Sequence, residues 1–415
     1  MSILIKDVLL DDEEETDIYI EGNQIKKIGQ SLDVVAEKTI DGKGKFAIPP
    51  FINGHTHSAM TLLRGYADDM PLMEWLSEKI WPLETKMTEE DIYWGAKLAC
   101  LEMIRSGITV FNDMYWHFHG TSRAVEEMGI RALVSAVFID FFDKTKANEQ
   151  IELNERLFEE TKSYSNRITF CLGPHSIYTV SEESLRWVKN FSNRNDVFIH
   201  IHISETQNEL KECIKRYRLR PIEYLKRIGF LSDKIIACHC VWLDQEEMEI
   251  LKNYNIQCVF NPISNMKLSS GKIFPYPRLI ERGIGIILGT DGPSSNNSLN
   301  MFETMKIASL LIKHDTKDPT SLPAKEVFNL ATNKAFGINT GIEEGNLADI
   351  VLLELNRPEL TPSHNVISNI VYSGNPSCVS TVICDGKILM EDGYIEGEDE
   401  IMERAKEQAL SLIRR

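Results

Sequence analysis

Short apolar runs rich in Val and Ile recur through the middle of this chain, and amphipathic stretches separate them. The runs are Phe46–Ile52, Thr109–Met114, Arg131–Phe138, Ile168–Leu172, Val197–Ile203, Lys234–Cys240, Gln257–Phe260 and Gly285–Leu288. Continuous runs of this length are typical of strands buried on both faces of a parallel sheet. Helices are predicted between them over Glu89–Ser106, Glu182–Asn190 and Gln245–Asn253, and a last one over Glu398–Arg414. The pattern predicts an α/β fold, a (β/α)8 TIM-like barrel, with a doubly wound sheet as the alternative.

Hairpin-like strands occur at both ends of the chain. They are Ile3–Leu10, Asp17–Ile28, Ala348–Leu355 and Val379–Glu391. Turn residues interrupt two of these segments, at Glu21-Gly22-Asn23 and at Asp385-Gly386. We therefore predict a small β-sandwich domain formed from both termini, over 1–48 and 345–415 with the C-terminal helix, and a barrel inserted over 49–344.

Charge and cysteine usage exclude several classes of protein. The 62 acidic and 45 basic residues give a net charge of −17 without a basic block, so no nucleic-acid partner is expected, because phosphate contacts need clustered Lys and Arg. The eight cysteines form no C-x-x-C pair, which is typical of reduced thiols. No membrane helix of about 20 apolar residues and no signal-peptide layout is visible. A cytoplasmic protein without a membrane partner is expected.

Charged or imidazole side chains follow the predicted strands, at the points where the strands end. They are His55, His57, His175, His202, Glu205, His239 and Asp291. Because the active sites of barrels lie at the C-terminal ends of the strands, these side chains are expected to meet at one mouth. A single histidine there would be better explained by packing. The repetition of the same chemistry at several strand ends favours function.

The histidines are arranged as metal ligands. In NGHTHSA, His55 and His57 are two residues apart in an extended segment, so both side chains point to the same side and can bind one ion. A third histidine and a carboxylate would complete such a site. His200 and His202 share a face and compete for the third place. His202 is preferred because Glu205 follows it at the strand end.

The oxygen ligand is assigned to Asp291 in LGTDGPSSNNS. An isolated Asp-Gly pair is more often a cap or a turn, and the assignment depends on the other motifs. Taken in chain order, these motifs resemble the amidohydrolase superfamily over the whole chain, the split β domain included. They are H-x-H at 55–57, H-x-x-E at 202–205, ACHCVWL around His239 and GTDGPSSNNS around Asp291.

Two further segments narrow the resemblance. LLRGYADDMPLMEWL over Leu62–Leu76 and WPLE over Trp81–Glu84 resemble deaminases that act on S-adenosylhomocysteine and 5′-methylthioadenosine, and their relatives that act on 5′-deoxyadenosine. The resemblance implies hydrolytic deamination of the adenine ring in 5′-modified adenosines, which yields the inosine analogue and ammonia. The substrates implied are 5′-deoxyadenosine, 5′-methylthioadenosine and adenosine, with S-adenosylhomocysteine as a weaker candidate.

The resemblance also implies a cofactor, one divalent ion per chain. Its ligands would be His55, His57, His202 and Asp291. Amidohydrolases with two metals usually carry a lysine at the end of the fourth strand, where this chain has ITFCLGPH and ends in His175. One ion is therefore expected. Three His and one Asp suit Zn²⁺, Fe²⁺ and Mn²⁺ alike, with Zn²⁺ as the first choice.

The roles of the remaining residues follow from the same resemblance. A metal-bound hydroxide would attack C6 of the adenine ring. Glu205 would act as general acid and base, His239 would stabilise the developing charge, and Asp291 would help move a proton to the departing ammonia. Glu84 would hold the ribose hydroxyls and His175 would contact the purine. The tryptophans near Glu84, at positions 75 and 81, could pack against the ligand, but aromatic residues at this spacing are more often core, so they are assigned there.

The region after the third strand bears on the 5′ substituent. Relatives specialised for S-adenosylhomocysteine hold its carboxylate there with arginines, whereas this chain has none between Arg131 and Arg156. Arg131 is expected at the far end of the barrel because it starts a strand. A carboxylate without a bidentate partner binds poorly, so uncharged substituents are favoured, although Lys144 or Lys146 could substitute as point charges.

Two other functions remain open. The chain could be a deaminase or chlorohydrolase for another heterocycle, such as guanine, cytosine or a triazine, and Glu84 would then have no ribose to hold. It could also be a non-catalytic barrel scaffold, although such a protein is expected to lose its ligands. By analogy with the family, a homo-oligomer, either a tetramer or a dimer, is expected.

Overall fold

The structure is a computed structural model that describes residues 1–10, 14–332 and 334–415. The strands, β1 to β17 in chain order, are Ser2–Leu9, Glu15–Glu21, Gln24–Gly29, Lys38–Asp41, Lys45–Ile48, Phe51–Thr56, Ile108–Tyr115, Arg131–Phe138, Ile168–Phe170, Gly173–Pro174, Ile199–Ile203, Ile235–His239, Gln257–Phe260, Ile286–Leu288, Ile350–Glu354, Val379–Cys384 and Lys387–Met390. The α-helices, α1 to α15, are Leu72–Trp75, Trp81–Glu84, Glu89–Arg105, Phe118–Met128, Lys144–Thr161, Glu182–Asn195, Gln207–Tyr217, Pro221–Arg227, Gln245–Asn253, Pro262–Lys267, Tyr276–Ile280, Met301–Thr316, Ala324–Thr332, Val366–Tyr372 and Glu398–Arg414. Shorter turns of 3₁₀ or π helix lie at Ser58–Leu63, Leu76–Ile80, Pro358–Leu360 and Pro376–Cys378.

Strands β6 to β14 form the barrel as two parallel sheets, one from β6 to β10 and one from β11 to β14. A parallel bridge between Ser176 and His202 joins the sheets along one side. Along the other side, the Asp291 amide donates to the carbonyl of His55 at 2.9 Å. The fourth strand is divided into β9 and β10, so eight strand positions surround the interior. The predicted (β/α)8 barrel is confirmed.

Two predicted strands have different limits in the structure. The run over Phe46–Ile52 is two strands, because Pro49 and Pro50 have no amide hydrogen to continue the ladder. The first of them belongs to the terminal sheet and the second to the barrel. The run over Ile168–Leu172 ends early, because the Leu172 amide donates to the carbonyl of Phe198, in the neighbouring fifth segment, at 3.0 Å.

The remaining strands form one eight-stranded sheet from both ends of the chain, in the order β17-β16-β15-β5-β1-β2-β3, with β4 paired to β1. Both predicted hairpins are present, as β2–β3 and β16–β17. The sheet has its own apolar core, which consists of Ile3, Ile5, Val8, Ile18, Ile20, Ile25, Ile40, Ala47, Ala348, Ile350, Leu352 and Ile383. The small β domain built from both termini is therefore present.

A buried ion-pair network joins the barrel to this sheet. Arg131, at the start of β8, donates from Nε to Asp349 at 2.9 Å and from Nη2 to Asp385 at 2.7 Å. Arg167 lies 3.5 Å from Asp385 and 2.9 Å from Glu126. As expected, Arg131 is at the far end of the barrel from the strand ends that carry the histidines.

Polar caps mark where the barrel helices begin. Thr88 and Asp91 form a reciprocal capping box at the start of α3, and Asp244 and Glu247 form one at α9. The helices predicted between the strands are present at these positions. Across the described residues, no helix combines the length and the apolar character that a membrane crossing requires.

Candidate active site

The structure brings every predicted site residue except Glu84 to the C-terminal ends of barrel strands. His55 lies near the end of β6, His202 within β11 and His239 at the end of β12. The others follow their strands within three residues: His57 after β6, His175 after β10, Glu205 after β11 and Asp291 after β14. All of these side chains except His55 line one cavity at the mouth of the barrel.

The backbone at these strand ends is in a conformation that side chains disfavour. Ser204, His239, Cys240 and Asp291 have φ values of 54°, 74°, 49° and 63°, in the left-handed region. Such residues persist only where their surroundings fix them, and they cluster at functional sites. All four residues lie at or just after the C-terminal ends of β11, β12 and β14.

Four side-chain atoms converge at the base of the cavity. Asp291 Oδ1 lies 3.3 Å from His55 Nε2 and 3.4 Å from His57 Nε2. His202 Nε2 lies 3.4 Å from His57 Nε2. Two ligands at about 2.0–2.1 Å from one tetrahedral ion would be about 3.3–3.4 Å apart. The three measured separations match this value. His55, His57 and Asp291 form one potential metal-binding group, and His202 joins it through His57 and also forms a group with His55 and His239.

The opposite nitrogen of each ring is held by the protein. His57 Nδ1 lies 2.6 Å from the carbonyl oxygen of Met114, and His202 Nδ1 lies 2.7 Å from that of His175. Since a carbonyl only accepts, each Nδ1 must carry the proton, and each Nε2 presents a lone pair to the centre. The buried Nε2 of His55 has no hydrogen-bond partner among the described residues. These are the features of histidines oriented to bind a metal.

His200 lies behind His55, on the side away from this centre. Its Nε2 is 2.6 Å from His55 Nδ1, a hydrogen-bond distance that is too short for two nitrogens bound to one ion. Cys238 lies close to both, and these three side chains form a second potential metal-binding group. Burial raises the pKa of the Cys238 thiol well above its usual value. Because His200 Nε2 is engaged with His55 Nδ1, His200 is better described as a hydrogen-bonded support for His55.

Asp291 is held in place through both carboxylate oxygens. Ser264 donates to Oδ2 at 2.6 Å, and the Gly292 amide donates to Oδ1 at 2.7 Å. Burial acts to raise the pKa of Asp291, but the neighbouring His55 holds it well below the ordinary value. Burial also lowers the pKa of His55 to about 4. At neutral pH Asp291 is therefore a carboxylate and His55 a neutral imidazole, the forms that bind a metal.

Glu205 is a buried carboxyl at the edge of this centre, 6% exposed. Burial, with a further contribution from the charge of Asp291, raises its pKa to about 8. Its Oε1 lies 3.9 Å from His239 Nδ1, and the Asn265 amide lies 2.9 Å from the same nitrogen. A carboxyl with a pKa near neutrality can both give and take a proton.

Glu84 enters the cavity from a different direction, on helix α2. It is 9% exposed, and burial raises its pKa, although the side chains of Tyr115 and Trp116 act in the opposite direction. The residues that line this cavity include Glu84 together with His57, His202 and Asp291. Glu84 therefore lies within the same cavity as the proposed metal ligands, although it is distant from them in sequence.

Four aromatic residues in the cavity wall were not among the predicted site residues. Trp75 and Trp81 were assigned to the core, and the structure places both in the wall, with Tyr115 and Trp116 beside them. Trp75 is also packed in an apolar cluster, so its assignment was correct in part. The spacing of aromatic residues gives no signal that separates core from cavity. For Trp75 and Trp81, the position in or near WPLE could have given such a signal.

A second cavity, of about 980 Å³, shares part of this wall. The shared residues are Trp81, Glu84, Trp116 and Ile139. Its remaining lining includes Arg156 and the carboxylates Glu89 and Glu160, and Ala136 lies on its wall. Arg156 is 3.9 Å from Glu160. The charge available to a ligand in this second cavity is therefore predominantly negative.

The sequence of the chain is similar to those of known proteins. The sequence model of the Amidohydrolase family matches residues 46–389. The chain is 47% identical to the 5′-deoxyadenosine deaminase of Methanocaldococcus jannaschii, with 98% of each chain covered. It is 46% identical to the 5-methylthioadenosine/S-adenosylhomocysteine deaminase of Thermococcus sibiricus, with 94% of each covered.

The fold of the chain is similar to that of a solved structure. A crystal structure of an adenosine deaminase from Xanthomonas campestris with bound zinc superimposes with a TM-score of 0.93. The alignment covers 100% of this chain and 99% of that one, at 29% sequence identity. The similarity therefore includes the barrel and the terminal sheet together.

Proposed function

This chain belongs to the amidohydrolase family, and we propose that it is a metal-dependent hydrolase that deaminates the adenine ring of 5′-modified adenosines. One structural observation carries the proposal. Four potential ligand atoms lie at metal-ligand separations beside Glu205, a buried carboxyl with a raised pKa. The names of the relatives supply the class of substrate.

The proposed ligands fit one divalent ion, for which we propose Zn²⁺. His55, His57, His202 and Asp291 would hold it. An ion there would lower the pKa of a water molecule toward about 7 and so supply the nucleophile. The zinc bound to the similar adenosine deaminase supports this choice, although three imidazoles and a carboxylate also suit Fe²⁺ and Mn²⁺.

Three residues would move or stabilise protons and charge. As water adds to C6, aromaticity is lost and N1 gains a proton. Glu205 would take a proton from the water and give it to N1. His239, beside Glu205, would stabilise the negative charge that develops on the attacking oxygen. Asp291 would help transfer a proton to the amino group, which leaves as ammonia when the C6–N bond breaks. The carbonyl of the inosine analogue then forms at C6.

Substrate binding is assigned to Glu84 and His175. The Glu84 carboxylate, buried in the wall, would accept hydrogen bonds from the ribose 2′- and 3′-hydroxyls, which a free base lacks. His175 lies next to His202 in the same cavity, with ring centroids 4.8 Å apart, and would contact the purine. Trp75 and Trp81 would supply apolar surface around the nucleoside.

We infer that uncharged 5′ substituents are preferred to the amino acid of S-adenosylhomocysteine. Of the two arginines that flank the region after the third strand, Arg131 is at the far end of the barrel. Arg156 lies in the second cavity, but Glu160 is beside it, and Glu84 and Glu89 line the same space. A distant carboxylate would therefore meet more negative than positive charge.

The test is a comparison of kcat/KM by ammonia release for 5′-deoxyadenosine, 5′-methylthioadenosine and S-adenosylhomocysteine. We expect the first two to be the better substrates. Ala136→Arg should narrow the difference, because Ala136 lies on the wall of the second cavity. A tenfold preference of the unmodified enzyme for S-adenosylhomocysteine, about 1.4 kcal/mol, would contradict the inference and identify Arg156, Lys144 and Lys146 as the residues to replace.

A further inference from the structure

Glu209 is a second buried carboxyl next to Glu205, and the reaction described above does not use it. It is the third residue of helix α7 and is 4% exposed. The Ser204 amide donates to its Oε1 at 2.8 Å, and the Glu205 amide donates to its Oε2 at 2.8 Å. Both carboxylate oxygens are thus bound to the backbone that carries Glu205.

This arrangement departs from an ordinary helix cap. At α7 the Thr206 side chain accepts from the Glu209 amide at 3.2 Å, which is half of a capping box. In the full motif the carboxylate returns to the amide of the cap residue, as Glu247 does to Asp244 at 3.2 Å in α9. At α7 the carboxylate instead binds the two amides that precede the cap.

The segment held by Glu209 is strained. Ser204 has a φ of 54°, a left-handed conformation that L-residues disfavour. Its carbonyl accepts from the amides of Val241 and Trp242 at 3.0 and 2.8 Å. The peptide group between Ser204 and Glu205 is therefore fixed at both ends, through its amide by Glu209 and through its carbonyl by the loop after β12. Together these contacts determine the direction of the chain as it leaves the strand of His202.

We propose that Glu209 is a positioning residue, which holds the Ser204–Glu205 turn so that the Glu205 carboxyl faces the reacting base. The proposal depends on the proposed function, because it assigns the task to Glu205. A displacement of a catalytic group by about 1 Å can cost about 100-fold in rate. Two buried hydrogen bonds, one to the amide of Ser204 and one to the amide of Glu205, are a direct means of preventing such a displacement.

The first experiment is Glu209→Gln. The amide keeps the shape of the side chain but has one accepting oxygen, so its NH₂ group would face one of the two backbone donors. We expect kcat to fall by about 10- to 100-fold, with KM within about twofold and the metal content unchanged. The matched control is Glu247→Gln, the third residue of the next long helix, which is also buried but whose carboxylate accepts from the amides of Asp244 and Ile222 and not from the Glu205 turn. We expect its kcat to stay within about twofold.

A double-mutant cycle separates positioning from a general structural role. If Glu209 acts through Glu205, Glu209→Gln should cost less than about twofold in an enzyme that already carries Glu205→Gln. If the losses of kcat caused by Glu209→Gln and Glu205→Gln multiply in the double variant, the proposal is overturned. A wild-type kcat in the Glu209→Gln variant would also overturn it. If the Glu209→Gln variant does not fold, Glu209→Asp replaces it in the double-mutant cycle, because the shorter side chain cannot reach both amides. The same outcomes then support or overturn the proposal. If the unmodified protein releases no ammonia, the proposed function itself is wrong. If it releases ammonia and the Glu209 variants behave differently from the expectation, only the Glu209 proposal is wrong.

Discussion

His200 and His202 are two residues apart on β11, yet the structure gives them different surroundings. Both point into the barrel, but His202 reaches the mouth, whereas His200 hydrogen bonds to His55 from below. His202 therefore has the position of a metal ligand, and His200 has the position of a residue that supports the ligand His55. The periodicity of a strand gives them the same face, so the sequence favoured His202 only through the Glu205 that follows it.

We predict that His202→Ala abolishes tight metal binding. His200→Ala should still bind one ion per chain, with an affinity lowered by about 10- to 100-fold because His55 loses its orienting partner. Elemental analysis of the two purified variants, with a competing chelator to rank affinity, provides the measurement. Loss of the metal from the His200 variant with retention by the His202 variant would reverse the assignment.

A second prediction at this scale concerns Glu205. Glu205→Gln preserves the shape of the side chain but cannot shuttle a proton, so deamination should slow by about 10²- to 10⁴-fold. Metal content and melting temperature should remain close to those of the unmodified enzyme. If the variant is purified without metal, Glu205 is a ligand and the proposed proton transfer is incorrect.

At the scale of single elements, helix α2 carries Glu84 into the cavity although it belongs to no barrel strand. We predict that Glu84→Gln raises KM for 5′-deoxyadenosine by about tenfold or more, because hydrogen bonds to a charged group contribute about 1.5–3 kcal/mol. The same change should have little effect on a 2′,3′-dideoxy analogue, which has no hydroxyls to bind. Equal effects on both substrates would place Glu84 outside the ribose site.

The elements of the barrel were largely predictable, because each ligand follows an apolar run whose end is visible in the sequence. The division at Pro49-Pro50 was missed because the apolar pattern continues across two different sheets. Glu209 was missed because it resembles an ordinary residue of a helix cap until its hydrogen bonds are known. Trp81 was missed because apolar surface around a ligand has the same composition as apolar surface in a core.

At the scale of the whole molecule, the Arg131 network is expected to hold the barrel on the terminal sheet. Removal of one partner from a buried ion pair leaves the remaining charges uncompensated, so Arg131→Met should cost about 3–5 kcal/mol in the free energy of unfolding. The control is Arg186→Met, whose partner Glu182 is also exposed, for which about 0–1 kcal/mol is expected. Urea denaturation of both variants provides the comparison, and equal losses would show that the network does not stabilise the contact between the domains.

The central claim is that one metal ion in this barrel enables the hydrolysis of 5′-modified adenosines. The most direct test is a zinc titration of the metal-free protein while ammonia release from 5′-deoxyadenosine is followed. The account predicts that activity rises linearly and reaches a plateau at one equivalent per chain. A plateau at two equivalents, or no ammonia at any zinc concentration, would contradict it.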